Sequence, residues 1–357
     1  MKDRDWEVSL AGHKFRVNVL KGLHWMVRTP LSKTHVYHIH FNPGIVRELK
    51  KTDLDLLVLS GYGSLSSQLA ARAAIRRKIP ILLWVRSFNV ERGTRPAFFQ
   101  RFIERWQKMC VRNASAYVVP GEKSRSFLRG FGVDSDRIRL IGNPVDNDLY
   151  EKDVPPSQLP FSREKTVVLF VGRLIPNKGV EALLHAFQSI RSREITLVII
   201  GDGPLQKNVM EAKEKDPRIE YRRFVPHEEL PNYYHAADLL ILPSTYEAWG
   251  LVINEAMNAG LPIITTGNVG AAGEIVHDSR NGYIIDPDDC DAISEKITDL
   301  CRDPEKRRRM GRESKEIIRN WGIEKAIAGF AEAAAIATTR PHSCRRKPES
   351  PRGAASR

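Results

Sequence analysis

The chain has 357 residues, 42% of them hydrophobic and 28% charged, enough for two domains with cores of their own. Its four cysteines (Cys110, Cys290, Cys301, Cys344) are scattered, and no apolar run nears the ~20 residues that span a bilayer, which argues against a disulfide framework, a zinc site and a membrane-crossing helix. The net charge of +13 is lopsided, with +12 over residues 1–160, −3 over 161–340 and +4 over 341–357, so the first part of the chain points to an anionic partner.

The opening MKDRDWEVSLAG is polar and charged and contains no signal-peptide core. Short apolar runs then alternate with amphipathic stretches. FRVNVL, HVYHIH, LDLLVLS, PILLWV and AYVVP are predicted strands, with predicted helices over 64–78, 95–112 and 121–130. Residues 146–165, DNDLYEKDVPPSQLPFSREK, are polar and proline-rich and read as a linker. The alternation restarts with strands TVVLFVG, ITLVIIG, IEYRRFV, DLLILP, LPIITT and GYIID. Helices are predicted near 177–192, 204–215, 228–236, 250–259, 289–302, 304–319 and 323–337. The tail 341–357 has no periodicity and is expected to be disordered. Such alternation predicts parallel sheets covered on both faces, and two runs predict two Rossmann-like domains. Ligands of that architecture sit at the carboxyl ends of the strands.

Several turns at strand ends carry chemistry. In LFVGRLIPNKG, a strand ends at Gly172, Arg173 follows, and Lys178 stands at the opening of a helix, where free backbone N–H groups and two cations suit a diphosphate. The pattern is not a P-loop, and alone it fits a solvated turn equally well. In IIGDGP, Gly201, Asp202, Gly203 and Pro204 either admit a ligand close to the backbone or simply make a tight turn. STYEAWGLVINEAM places Glu247 before a helix and Glu255 within it, beside an apolar face. A carboxylate there needs a partner, and ribose hydroxyls are suitable ones, while read alone the two glutamates fit one helper at the helix N-terminus and one solvated side chain. TTGNVGAAGEIV sets Gly267, Gly270 and Gly273 around a fourth predicted strand-to-helix junction, with Glu274 near the helix start. RNGYIID reads as a turn entering an edge strand, and DPDDCD (286–291) as a helix start. Together these turns suit a nucleotide diphosphate carrying a hydroxylated group.

GRLIPNKG, GDGP, EAWGLVINEAM and GAAGEIV, in this order, resemble the retaining glycosyltransferases of family four. The likeness is good over 115–285 and loose over the rest of 15–340. It implies an α/β, GT-B fold, two Rossmann-like domains facing a cleft. The implied divisions are an acceptor-side domain over 1–145, the linker over 146–165 and a nucleotide-sugar domain over 166–323. A C-terminal helix over 324–340 packs back on the first domain, ahead of the basic tail 341–357. The resemblance implies that Arg173 and Lys178 hold the donor diphosphate, that Glu255 binds the ribose and that Glu247 faces the transferred sugar. The GDGP turn lies beside the base, and Gly172, Trp249, Gly250 and Leu251 complete the donor site. Asn143, Val145 and Asp146 match the segment that enters the linker. Retention without an agreed nucleophile implies a front-face reaction, in which the departing β-phosphate helps take the acceptor proton. No metal or cofactor is then needed beyond the donor, and charge growing on the diphosphate is met by Arg173, Lys178 and helix N-termini.

The chain departs from the family in its first half. It has no glycine-rich opening, so the first domain is expected to lack its first strand and helix. SGYGSLSSQLA, with Gly61 and Gly63, is the comparable turn, but Ser66 replaces the third glycine of a dinucleotide fingerprint. Arg86 stands where many members carry histidine. Gly61, Gly63, Arg86 and Asn143 are therefore the acceptor-side candidates. In RPAFFQRFIERWQKMCVRN (95–113), Phe98, Phe99, Phe102, Trp106 and Met109 share one side and Arg101, Arg105, Lys108 and Arg112 the other. That helix either faces a core with its basic side solvated or lies on an anionic membrane. No RNA-recognition motif is present, so nucleic acid is not an expected partner. The activity implied is sugar transfer from a nucleotide sugar to a glycan or lipid-linked acceptor, for cell-surface polysaccharide. It would take place in the cytoplasm, at the inner face of the membrane. Two other readings stay open: a GT-B nucleotide-sugar epimerase, and an N-terminally truncated, non-catalytic nucleotide-sugar-binding protein.

Overall fold

The structure, a computed structural model, describes residues 20, 23–28, 36–86, 97–152, 154–155, 160–161 and 164–339. The predicted strand FRVNVL, apart from Leu20, and the tail 341–357 lie outside them.

Strands β1 (Leu23–Arg28) and β2 (Val36–Phe41) form an antiparallel pair. Helix α1 (Gly44–Lys51) leads to β3 (Leu57–Ser60), α2 (Leu65–Arg77), β4 (Ile81–Trp84) and α3 (Ala97–Asn113). Strand β5 (Ala116–Val119), α4 (Glu122–Arg129) and β6 (Ile138–Leu140) complete a parallel sheet ordered β3-β4-β5-β6. HVYHIH is thus a strand, but it stands outside the parallel sheet. The alternation of Tyr37, Ile39 and Phe41 with His38 and His40 suits an antiparallel pair better than a strand covered on both faces. Helix α1 and the three-residue β6 are additions to the predicted elements.

The second domain begins within the predicted linker. Helix α5 (Asn147–Glu151) is capped by the Asp146 side chain, and Tyr150 is fully buried in the second core. Then come β7 (Thr166–Val171), α6 (Val180–Ser189), β8 (Ile195–Ile200), α7 (Gln206–Lys215), β9 (Ile219–Arg222) and α8 (Leu230–Ala236). The chain continues through β10 (Leu239–Leu242), α9 (Leu251–Asn258), β11 (Ile263–Thr266) and β12 (Gly282–Ile285). Helices α10 (Cys290–Arg302), α11 (Pro304–Ile318) and α12 (Ile323–Thr339) follow, and Asp289 caps α10 through the N–H of Ala292. The six strands are all parallel in the order β12-β11-β10-β7-β8-β9, with β12 at an edge as its turn predicted. Strand order reverses between β7 and β10, which opens a crevice beyond their carboxyl ends.

Both faces of the first sheet are covered. Helices α1 to α4 pack on one face around Leu49, Ala74, Val111, Tyr117 and Leu128. The other face, with Leu82, Ala116, Val118 and Ile141, is closed by α12 through Ala333 and Ala337. Trp84 and Phe330 meet edge to face at 6.2 Å. The chain therefore crosses between the domains near Gly142 and again near Trp321. There a Cβ on Gly142 would lie 2.9 Å from the Trp321 ring, and that ring stands 5.7 Å from Trp249.

Candidate active site

The turns after β7, β8, β10 and β11 form one continuous rim. The N–H of Leu174 donates to the Asp202 carbonyl (2.9 Å), and that of Leu205 donates to the Leu174 carbonyl (3.0 Å). The N–H of Thr245 donates to the Asn177 carbonyl (3.0 Å), joining the Arg173–Lys178 turn to the loop that carries Glu247. The glycines in this rim answer first to neighbouring backbone. A Cβ on Gly201 would sit 1.8 Å from the Gly172 carbonyl oxygen, and one on Gly203 2.4 Å from that of Leu174. The tight-turn reading of GDGP therefore explains both glycines. Pro204 opens the turn before α7, and exposed Asp202 pairs with Arg223 at 3.1 Å.

Lys178 and Glu247 form an ion pair at the switch point, with side chains only 13% and 21% exposed. Arg173 is exposed at the end of β7 and has no ion pair among the described residues. Among the described residues, the second domain's rim thus offers the unpaired Arg173 guanidinium beside the neutralised Lys178–Glu247 pair. Gly250 precedes α9 at φ +95°, and Leu251, in the first turn, is 43% exposed. The Trp249 ring is part of the core rather than the cleft: it is 2% exposed, and its Nε1 donates to Asn254 (2.9 Å).

Glu255 is buried, and its carboxylate accepts from the Tyr234 hydroxyl at 2.5 Å, with Tyr150 and His227 also close. The partner required by a carboxylate on an apolar face is thus already present in the protein. Burial pushes the Glu255 carboxyl above the ordinary carboxylate range, against the hydrogen bond from Tyr234, the charge of His227 and the hydrogen bond from Tyr150. The same cluster pushes the Tyr150 and Tyr234 hydroxyls up, chiefly by burial. Because the folded pKa of Glu255 is raised, its contribution to stability is full below the unfolded pKa and is lost as pH rises through the folded value. Glu255→Gln, which keeps an acceptor for Tyr234, should melt above the parent protein at pH 7.5. Thermal melts across pH should show that gap narrowing on acidification; a gap independent of pH would count against a strained carboxylate.

TTGNVGAAGEIV holds a correction. No helix follows Gly270; residues 267–281 make turns and isolated bridges. Gly273 sits at φ +84°, and the Asn281 side chain fastens the loop through the N–H of His277 (2.7 Å) and the Ile275 carbonyl (2.9 Å). Glu274 reaches instead to the other domain, where it accepts the backbone N–H of Glu122 at the start of α4. Beside it, Lys123 donates to the carbonyls of Gly267 (2.7 Å) and Val269 (2.6 Å).

The acceptor-side candidates are spread over the first sheet's carboxyl rim. Gly61, at φ +90°, follows β3 and donates to the Trp84 carbonyl (3.0 Å), while Gly63 has open space around it. Exposed Arg86 follows β4, just before residues outside the described set. Asn143 lies at the interdomain crossing, where its carbonyl accepts from Asn254 (3.2 Å). Burial pushes the Tyr62 hydroxyl up to about 12, with Tyr246 of the second domain adding to the rise, so the two rims face each other here.

The sequence model described as Glycosyl transferases group 1 matches residues 152–317, and that described as Glycosyltransferase Family 4 matches residues 1–149. The chain belongs to the group 1, family 4 glycosyltransferases. It is 29% identical over 219 residues to an uncharacterized glycosyltransferase of Methanocaldococcus jannaschii, a match covering 58% of this chain and 61% of that one. It is 31% identical over 226 residues to a GDP-mannose-dependent alpha-(1-6)-phosphatidylinositol monomannoside mannosyltransferase of Mycolicibacterium smegmatis, covering 58% of each. The chain thus spans less than two thirds of the length of these relatives. Among solved structures, Anabaena Alr3699/HepE in complex with UDP superposes with a TM-score of 0.71 at 21% identity, covering 82% of each chain. That likeness fixes the fold of this glycosyltransferase-family chain as GT-B, two parallel-sheet domains. Lys123, Tyr150 and Tyr234 were not among its predicted site residues. No local pattern signalled the tyrosines: Tyr150 lies in the polar segment read as a linker and Tyr234 in PNYYHAAD.

Proposed function

We propose that the chain is a retaining, metal-independent glycosyltransferase that moves a sugar from a nucleotide-diphosphate sugar to a glycan or lipid-linked acceptor. The observation that carries this is the gathering of Arg173, Lys178 and Glu247 at the switch point of the second sheet, on a rim facing the first sheet's carboxyl rim. Family membership supports the activity, and the Anabaena protein's complexes with UDP and UDP-glucose support the donor class. In this reading Arg173 and Lys178 receive the negative charge that grows on the β-phosphate as the sugar C1–O bond breaks. The acceptor oxygen enters from the same face, and its proton passes to the departing phosphate. Titration of the full chain with UDP and GDP should show saturable binding to at least one, weakened by Arg173→Ala and Glu255→Ala. Binding of neither would refute the reading.

The outer face of α3 supports an anionic acceptor environment. Arg72, Arg105, Lys108 and Arg112, with the single acid Glu104, line a cavity of about 590 Å³ together with Trp106 and Met109, and Arg72 stands 3.7 Å above the indole. None of the four has an ion pair among the described residues. No described helix is long and apolar enough to cross a membrane. We infer peripheral contact with an anionic lipid surface. At about 1 kcal/mol per basic residue, Arg105→Glu with Lys108→Glu should cut partitioning onto phosphatidylserine vesicles roughly tenfold or more in co-sedimentation. Unchanged partitioning would sink the idea.

A further inference from the structure

The loop after β11 holds Glu247 by its main chain. Glu247 and Val269 form a parallel bridge, with the Glu247 N–H donating to the Asn268 carbonyl (3.3 Å) and the Gly270 N–H to the Glu247 carbonyl (3.0 Å). The approach is so close that a Cβ on Gly270 would lie 2.1 Å from the Ala248 carbonyl oxygen. A displacement of 268–270 therefore displaces Glu247.

What holds 267–274 from its other side belongs to the first domain. Lys123, in the first turn of α4, spans the carbonyls of Gly267 and Val269. Glu274 completes the grip from the opposite direction by accepting the Glu122 N–H, where the helix dipole favours an anion. Gly121 leaves room for it, since a Cβ there would stand 3.0 Å from the Glu274 carboxyl. Glu274 also lies within electrostatic reach of Lys123 and of Lys325 on α12. Burial lowers the pKa of both lysines, and the nearby Glu274 charge opposes that fall. Among the described residues, the partners named for this loop across the cleft ride on one domain, while Arg173, Lys178, Glu247 and Glu255 ride on the other.

We propose that Lys123 and Glu274 form a latch across the cleft that sets the loop 267–274, and through it Glu247, in the position needed for sugar transfer. Lys123 is a positioning residue, because it reaches Glu247 only through backbone bonds. The proposal rests on the glycosyl-transfer reading above. With the latch closed, Glu247 is held at both ends: its carboxylate by Lys178 and its main chain by a loop fixed to α4. With the latch broken, the loop moves with the second domain alone. Donor diphosphate affinity is then kept, because the groups assigned to it do not touch Lys123, and turnover is lost.

The test uses the full chain and the variants Lys123→Met, Lys123→Arg and Glu274→Ala. UDP and GDP affinities are measured by calorimetry, and turnover is measured with the donor sugar the parent protein uses. Lys123→Met should lower kcat about 10- to 100-fold while the nucleotide Kd stays within about twofold. Lys123→Arg, which can still reach two carbonyls, should recover most of the rate. Lys123→Met combined with Glu274→Ala should cost little more than the worse single change, since both open the same contact. Amide exchange at 267–274 should quicken at least about tenfold in Lys123→Met. Wild-type kcat in Lys123→Met, a Kd that weakens in step with kcat, or unchanged amide exchange would each overturn the latch. Failure of the parent protein to bind any nucleotide would refute the glycosyl-transfer reading and with it the role of Glu247. The exchange measurement would still decide whether the latch exists.

Discussion

Arg173→Ala should lower turnover of the donor sugar by about 10²- to 10³-fold, the range seen when one preorganised group facing transition-state charge is removed. The position of Arg173 sets this size. It follows β7 at the switch point, is exposed to the cleft and spends none of its charge on a neighbour among the described residues. Lys178 differs, because Glu247 already neutralises it. Lys178→Ala removes a cation and strands a half-buried carboxylate, so it should weaken nucleotide binding as well as rate. Glu247→Gln should push the two quantities apart. It frees Lys178 for the diphosphate, tightening UDP or GDP binding severalfold, while turnover falls. Stopped-time product assays with parallel calorimetry separate these outcomes. Equal losses of binding and rate in Glu247→Gln would mean that its carboxylate serves only to hold the site together.

Gly179→Ala should destabilise the second domain by about 3 kcal/mol or more. The residue sits at φ +70° between Lys178 and α6, where an L side chain is already disfavoured. More important, a Cβ would stand 2.0 Å from the carbonyl oxygen of Pro243, a backbone atom with no freedom to yield. Relief would require the turn after β7 to withdraw from the loop after β10, the two segments that bring Lys178 to Glu247. Gly267→Ala is the control, because its Cβ meets nothing within 4 Å and its φ is not positive. Urea titrations followed by tryptophan fluorescence should show a large fall in midpoint for the first change and one within about 0.5 kcal/mol for the second. Comparable midpoints would show that the turn can move.

The second domain was readable because its buried strands are continuous apolar runs and its helices begin at recognisable turns. VVLFV, ITLVII and LLIL each became a strand of one parallel sheet. The order of turns along that sheet pairs Lys178 with Glu247 and places Arg173 on the same rim. The glycines were harder. Gly201 and Gly203 fit in sequence either an opening for a ligand or a tight turn, and the Gly172 and Leu174 carbonyls that leave no room for a Cβ are visible only once two strands are side by side. Glu274 was misplaced for a similar reason. Its partner, the Glu122 N–H, is 152 residues away in another domain, and no local pattern connects the two. In the first domain, HVYHIH was legible as a strand but not as half of an antiparallel pair, because its partner LHWMVR carries only a weak alternation of its own.

The return of α12 to the first sheet also orders events during synthesis. The face made by Leu82, Ala116, Val118 and Ile141 waits for Ala333 and Ala337, which are translated after the whole second sheet. At about 5–20 residues per second, a ribosome takes roughly ten to forty seconds to make the intervening ~200 residues. Through that interval the nascent first domain carries an uncovered apolar sheet, while the second domain can already assemble its own core. The first domain, although translated first, is therefore sealed only after the second domain has been made. A chaperone that shields exposed sheets on nascent chains would find its natural client in this half of the protein.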